Sequence, residues 1–224
     1  MTIINGSALL RAAPLSPMLA TKERAHGTSY GLAEAGADIR VKQTVRFVPP
    51  DPMAYARLLR DYAKSPSWGY IYSGQEQQLQ EAFHGYVEVD GTRTLGRFAL
   101  ASSVERFRVP GNLVAVIGHK STLARQGINV WAGTTAEPKW EGWLTLEIGF
   151  HGLEPVTIPA GSGIAQVLFH ELAEPADYAG GKYQSQPDRP VAAILEDTHL
   201  KQLADERASG PFVPVSLDDL TTEG

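Results

Sequence analysis

The apolar residues of this chain come in short blocks, and residues that favour turns bound most of them. Between residues 90 and 172 the blocks include Phe98–Leu100, Leu113–Ile117 and Ile164–Phe169, with Pro110–Gly111 among the turns. Short β-rich runs at near-regular spacing are typical of a sandwich or barrel. An α/β sheet would need amphipathic helices between its strands, and these residues leave no room for them. We therefore predict an all-β fold here. Further apolar blocks in the chain are Ile39–Val41, Val45–Val48 and Trp143–Leu146.

Three further segments have helical rather than strand character. Asp51–Lys64 opens with Asp and Pro, as helix starts often do, and places its large apolar residues at helical spacing. Gln75–Phe83 is expected to continue it after a loop rich in Gly, Ser and Tyr. Near the C-terminus, Val191–Ala208 also has helical composition, and Gly210–Pro211 would end that helix.

Length and composition restrict the class of protein. The 224 residues suit one domain, residues 1–224, and the longest apolar runs fall far below the roughly 20 residues of a membrane span. The N-terminus lacks a basic start followed by a sustained apolar stretch, so we expect a cytoplasmic protein without a secretory signal. A net charge of −5 argues against general nucleic-acid binding. The absence of cysteine excludes disulfides, thiolate nucleophiles and cysteine-ligated metals.

One short stretch concentrates cations and hydroxyl groups. Lys120, Ser121, Thr122 and Arg125 stand within six residues, next to Gly118. Two cations with two hydroxyls suit a polyphosphate or a polarised water. A solvated turn would have the same composition, so spacing alone leaves both interpretations open.

A glutamate interrupts an apolar strand further along. Strand alternation puts Thr145 and Glu147 on one face and the intervening leucines and isoleucine on the other. Ala132–Thr135 is a small-residue loop whose backbone could approach a ligand closely. Glu147 could equally be an ordinary exposed strand residue, and the loop a simple hairpin.

In order along the chain, these features resemble the dCTP deaminase family of the dCTP deaminase and dUTPase superfamily. Lys120–Gly127 resembles the family's K-S-[ST]-x-[AG]-R-x-G motif. Glu137–Glu147 resembles [DE]-P-x-[WF]-x-G-x-[LIV]-[TV]-L-E. The remaining matches are Ser29–Gly31 with S-Y-G, Ala37–Arg40 with its D-[IVL]-R element, Gly163–Phe169 with the strand after the glutamate, and Gly181–Gln186 with K-Y-Q-G-Q.

The resemblance implies a distorted β-barrel of the dUTPase-like β-clip type with one or two peripheral helices. It implies a homotrimer with active sites at subunit interfaces. The substrate would be dCTP, with Mg²⁺ bound through the triphosphate, and ammonia would be released without zinc. The composition agrees on zinc, because zinc-dependent nucleoside deaminases need a P-C-x-x-C motif and this chain has no cysteine.

The resemblance also implies roles for individual residues. Glu147 would be the catalytic base, Ser121 would hold the attacking water together with a carbonyl of the Ala132–Thr134 loop, and Arg125 would stabilise charge at the reaction centre. The residues expected to contact the nucleotide are Lys120, Thr122, Lys182 and Gln186 at the triphosphate, Glu137 at the deoxyribose, and Tyr178.

Parts of the chain depart from the family pattern. Residues 49–90 match no motif and are predicted to be an insertion or a diverged region, and residues 187–224 are predicted to form a C-terminal extension. Ser185 stands where K-Y-Q-G-Q has glycine. Glu137 replaces the commoner aspartate.

Two other functions remain open at this point. A dUTPase, or a bifunctional enzyme that makes dUMP directly, shares the fold, but a dedicated dUTPase has no reason to place Arg125 and Glu147 where they stand. A non-catalytic nucleotide sensor could use residues 49–90 and the tail to contact a partner protein. Binding alone would not require a base.

Overall fold

Antiparallel strands make up most of the described structure. The computed structural model describes residues 2–64, 73–178 and 180–194. Met1–Val191 form one compact unit, and Ala192–Gly224 form a second, of which only residues 192–194 are described. The elements in chain order are β1 (Thr2–Ile4), α1 (Gly6–Ala12), β2 (Leu15–Ser16), β3 (Lys22–Ala25), β4 (Thr28–Leu32), β5 (Ala37–Arg40), β6 (Val45–Val48), α2 (Pro52–Ala63), α3 (Ser73–His84), β7 (Tyr86–Val89), β8 (Thr92–Leu95), β9 (Phe98–Arg108), β10 (Leu113–His119), α4 (Ser121–Ala124), β11 (Ile128–Trp131), β12 (Thr135–Ala136), β13 (Glu141–Phe150), β14 (Val156–Ile158) and β15 (Gly163–Glu171).

The strands form three sheets. The first has the order β12-β10-β15-β5-β4-β3, with β1 also pairing with β15. The second has the order β11-β13-β9-β2 and the third β14-β6-β7-β8. A bridge between Val41 and Ser103 connects the end of β5 to β9, so the first two sheets are joined. The predicted all-β, barrel-like fold class is confirmed.

The core lies where the sheets face one another. Phe47 of the third sheet stacks on Phe150 of the second, with ring centroids 5.3 Å apart. Phe107 and Phe169, from the second and first sheets, are also fully buried. Each such side chain contributes about 1.5–3 kcal/mol through burial. One apolar core therefore holds the three sheets together.

Strand β13 has the predicted alternation. Leu144, Leu146 and Ile148 are buried, whereas Thr145 is half-buried and Glu147 is exposed. The register shifts between Trp143 and Thr145, where β13 pairs with β9. Glu147 therefore faces away from the core, as the period of two predicts.

The predicted helices after β6 are confirmed. The side chain of Asp51 caps α2 by accepting a hydrogen bond from the backbone N–H of Ala54 at 2.9 Å. Helix α3 contains the predicted Gln75–Phe83. The predicted helix at 191–208 has no helical structure in residues 191–194, and its remainder lies outside the described residues.

Two short helices were not predicted. Helix α1 follows Asn5, which makes no side-chain capping bond, and its Leu9 is fully buried. Helix α4 corrects the prediction of strands alone for residues 90–172. Its single turn is anchored by buried Leu123, so tertiary packing rather than a local start signal holds it.

Helices α2 and α3 are both inserted between paired strands. Strand β6 pairs directly with β7, with Val48 opposite Tyr86, so residues 49–85 leave the sheet and return to it at one point. Gly85 closes this point at φ +72°, and a Cβ there would lie 2.5 Å from the carbonyl oxygen of Val48. Whether residues 49–90 are an insertion relative to the family stays a prediction.

None of the helices among the described residues is long and apolar enough to cross a membrane. The predicted cytoplasmic location stays a prediction.

Candidate active site

A cleft of about 520 Å³ lies on the outer face of the first sheet. One row of residues in register crosses this sheet: Lys22 of β3 pairs with Gly31, Gly31 with Asp38, Asp38 with Gln166, and Gln166 with Gly118 of β10. Neighbouring core-facing residues on β5 and β15 are buried, so this row faces outward. Lys22, Asp38 and Gln166 of this row line the cleft.

A buried ion pair forms one wall of the cleft. The ammonium of Lys120 lies 2.6 Å from the Asp38 carboxylate, and the two side chains are only 10% and 4% exposed. Lys120 also donates to the hydroxyl oxygen of Ser29 at 3.1 Å, and that hydroxyl donates to Asp38 at 2.8 Å. The three side chains therefore connect β4, β5 and the end of β10.

Helix α4 brings two exposed hydroxyls to the same cleft. Lys120 is its N-cap residue, and Ser121 and Thr122 form its first turn and line the cleft. Arg125, the C-cap residue, is exposed and is not among the residues that line the cleft. The structure thus brings Lys120, Ser121 and Thr122 together and places Arg125 one helical turn away.

Glu147 lies elsewhere, on the outer face of the second sheet. It pairs with Trp131 of β11 on one side and with Leu100 of β9 on the other. The Trp131 ring lies over Gly149, where a Cβ would come within 2.6 Å of it. Trp131 is 41% exposed and Phe98, opposite Gly149, is 51% exposed. The Glu147 carboxylate therefore stands in an exposed, largely apolar row.

Residues 180–191, here called the C-terminal strap, lie along the start of β13. Gln186 forms a parallel bridge with Gly142, and its carbonyl accepts from the backbone N–H of Trp143 at 3.2 Å. The Thr145 hydroxyl donates to the Gln186 side chain at 2.9 Å and accepts from the backbone N–H of Val191 at 3.0 Å. Gln186 therefore contacts Thr145, which lies two residues before Glu147 on the same face of β13.

The other predicted site residues lie near this strap or near β12. The carbonyl of Tyr183 accepts from the Trp140 indole at 2.7 Å, and the ammonium of Lys182 lies 5.8 Å from the centre of the Tyr183 ring. The backbone N–H of Tyr178 donates to the carbonyl of Pro138 at 3.0 Å. Glu137 accepts from the Thr135 hydroxyl at 2.7 Å.

The predicted residues therefore form two clusters in one chain. Lys120, Ser121 and Thr122 line the cleft, while Gln186 lies beside Thr145 on the Glu147 face. Within the described parts of the chain, neither the Glu147 carboxylate nor the Arg125 guanidinium has a hydrogen-bond or ion-pair partner. The roles assigned to all these residues stay predictions.

Residues that the sequence did not single out as site residues complete the cleft. Lys22, Arg24, His119 and Gln166 line it together with Asp38. Asp38 was visible in the sequence as an acidic residue between apolar neighbours. Lys22 and Arg24 gave no signal, because every residue of β3 except Ala25 is exposed.

A second buried ion pair supports the strand that carries Asp38. Glu105 of β9 accepts from the Arg40 guanidinium at 2.7 Å and from the Arg40 backbone N–H at 2.8 Å. Burial raises the pKa of the Glu105 carboxyl above its ordinary value, and the hydrogen bonds from Arg40 offset this only in part. The pair fixes the end of β5 to the second sheet.

Fold and cleft together define an all-β protein with a site suited to a phosphorylated ligand. The family described as dCTP deaminase-like matches residues 25–172, and the chain belongs to this family.

Its relatives include two curated bacterial proteins. It is 35% identical over 187 residues to the dCTP deaminase of Roseiflexus castenholzii, covering 77% of this chain and 86% of that protein. It is 36% identical over 171 residues to the dCTP deaminase of Acidithiobacillus ferrooxidans, covering 70% and 77%. The solved structure of the 2'-deoxycytidine 5'-triphosphate deaminase from Agrobacterium tumefaciens superposes with a TM-score of 0.40 at 16% identity, over 94% of this chain and 55% of that one.

Proposed function

We propose that this chain converts dCTP and water to dUTP and ammonia, with Glu147 as the general base. The observation that carries the proposal is an exposed carboxylate, without a partner among the described residues, in an apolar row of a dCTP deaminase-like chain. A carboxylate in such a row is free to take a proton from a water molecule.

The proposed reaction needs no metal-bound water. Glu147 takes a proton from the attacking water as its oxygen bonds to C4 of the cytosine, and passes that proton to ring nitrogen N3. Collapse of the tetrahedral intermediate breaks the C4–N4 bond, and the second proton of the water leaves with the amine as ammonia. Ser121 and a carbonyl of the Ala132–Thr134 loop would hold the water. Arg125 would stabilise charge near the leaving amine.

The two separate clusters support a site shared between subunits. No hydrogen bond or ion pair among the described residues joins Ser121 or Arg125 to Glu147, so in this proposal a second copy would supply one half of the reacting group. The exposed Trp131 and Phe98 beside Glu147 form an apolar surface that such a copy would cover. We propose the homotrimer that the family resemblance implies.

The substrate would be dCTP carrying Mg²⁺ on its triphosphate. Thr122 and the third N–H of Lys120 would contact the phosphates from the cleft. Lys182 and Gln186 would contact them from the strap, Glu137 would face the deoxyribose, and Tyr178 would reach the nucleotide.

The test is a product assay on purified protein. Incubation with Mg·dCTP should yield equal amounts of dUTP and ammonia, resolved by ion exchange and an ammonia assay. Pyrophosphate and dUMP from dCTP would show a bifunctional enzyme, and pyrophosphate from dUTP alone would show a dUTPase. Tight binding without turnover would favour a nucleotide sensor and contradict the proposal.

One substitution tests the base. Glu147→Gln keeps the shape of the side chain but cannot accept the proton, so the turnover number should fall about a thousandfold. Glu141→Gln is the matched control, because Glu141 lies on the same face of β13 and its carboxylate forms an ion pair with Arg106 at 3.2 Å. Equal activity of the two variants would show that Glu147 is not the base. A zinc-selective chelator should leave the wild-type rate unchanged.

A further inference from the structure

The positively charged side chains of the cleft differ in whether a nearby carboxylate neutralises them. Lys120 is neutralised by Asp38 in the buried ion pair. The Lys22 ammonium lies 2.8 Å from Glu34, and its hydrogen bond lowers the pKa of that carboxyl. Arg24 has no hydrogen-bond or ion-pair partner within the described residues. Of the Lys and Arg side chains that line the cleft, Arg24 therefore contributes the uncompensated charge.

The β3–β4 hairpin fixes the direction of Arg24. His26 and Gly27 connect the strands at φ +51° and +79°, as a two-residue turn between antiparallel strands requires. Arg24 then pairs with Ser29. Residues directly opposite in an antiparallel pair project to the same face, so Arg24 lies on the face where Ser29 contacts Lys120 and Asp38.

Arg24 and the α4 hydroxyls line the same cleft from different elements of the first sheet. Strand β3 is the edge of the first sheet, and Ser121 and Thr122 follow β10 near the other edge. A ligand that contacts both groups must offer acceptor oxygens at more than one point of the cleft, as a chain of phosphates does.

We propose that Arg24 binds the terminal phosphate of the nucleotide. The nature of the nucleotide rests on the proposed function. The guanidinium offers paired N–H donors that match two phosphate oxygens, and its charge is not shared with a carboxylate. Lys120 then positions Asp38 and Ser29 and adds only its third N–H to the phosphate contacts.

Inorganic tripolyphosphate with Mg²⁺ tests this directly by titration calorimetry on the full chain. Arg24→Gln should weaken its binding about tenfold, as expected for one charge-assisted contact at a partly exposed site. Arg46→Gln is the matched control, because Arg46 is also exposed on a strand but belongs to the third sheet and does not line the cleft. The control should bind as the wild type does.

A second variant should act in the opposite direction. Glu34→Gln removes the acidic partner of Lys22 from the rim of the cleft, so binding of tripolyphosphate should tighten about twofold to threefold at low salt. The gain should disappear at high salt, where exposed charges are screened.

Equal binding by the Arg24 and Arg46 variants, or no binding by the wild type, would overturn the inference. The calorimetric readout requires no turnover. A chain that binds tripolyphosphate through Arg24 but releases no ammonia from dCTP would therefore contradict the proposed function and leave this inference standing.

Discussion

The Lys120–Asp38 ion pair makes a quantitative prediction about stability. Lys120→Met keeps most of the side-chain volume but removes the ammonium, and leaves the Asp38 carboxylate in a site where it is 4% exposed. Oδ1 of Asp38 has no hydrogen-bond partner among the described residues, so Ser29 alone would remain to stabilise the charge.

The expected cost follows from this burial. Removing one partner of a buried pair costs about 3–5 kcal/mol, because the other charge is left uncompensated. Because the Ser29 hydroxyl would still donate to Asp38, we expect Lys120→Met to cost about 3 kcal/mol, near the lower end of that range. Adding Asp38→Asn to Lys120→Met removes the stranded charge, so the double variant should regain about 2 kcal/mol.

Urea denaturation followed by circular dichroism measures these differences. All four proteins of the cycle must be compared at one chain concentration, since subunit association contributes to apparent stability. High salt should change the coupling little, because the pair is shielded from solvent.

Two outcomes would contradict this reasoning. A loss of less than about 1 kcal/mol for Lys120→Met would show that the pair does not stabilise the fold. A double variant less stable than Lys120→Met alone would show that Asp38 is held by groups other than Lys120.

Two further predictions concern residues outside the cleft. Ser185 has a φ of +58°, a backbone conformation that glycine adopts more easily than serine. Ser185→Gly should therefore stabilise the strap by up to about 1 kcal/mol and slow hydrogen exchange of its amides about fivefold. Unchanged exchange would argue against strain there. The raised pKa of Glu105 means that the folded state binds its proton more tightly than the unfolded state does, so this group favours folding increasingly as pH falls through the raised pKa. Urea midpoints from neutral to mildly acidic pH should show wild type gaining stability relative to Glu105→Gln; a shrinking difference would contradict the assigned direction.

The sequence predicted the parts of the fold that local patterns encode. Apolar blocks between turn residues become strands because their alternating side chains fill a core, as in β13 and β15. Asp51 and Pro52 start α2 because a side-chain cap and a preset φ act within one turn. Helix α1 was not predicted, because the burial of Leu9 stabilises it and no side-chain cap marks its start.

Site residues that are neighbours in the sequence could be predicted together. Site residues that only strand pairing brings together could not. Ser121 and Thr122 adjoin Lys120, so their shared location was visible in the sequence. The contact of Lys120 with Asp38 joins distant positions through the register of three strands. Arg24 reaches the cleft only because of a hairpin turn, and an exposed polar strand has no pattern that reveals it.

The direct pairing of Val48 with Tyr86 has a consequence for how such a chain can change in length. Because Val48 and Tyr86 are direct partners, the register of β6 and β7 can be kept when the length of the connection between them changes. The entropy of closing a flexible loop grows by only about 0.6 kcal/mol for each doubling of its length. The connection at this junction could therefore be a two-residue turn, a longer helical segment or a whole additional domain. Such a change would leave the cleft unaltered.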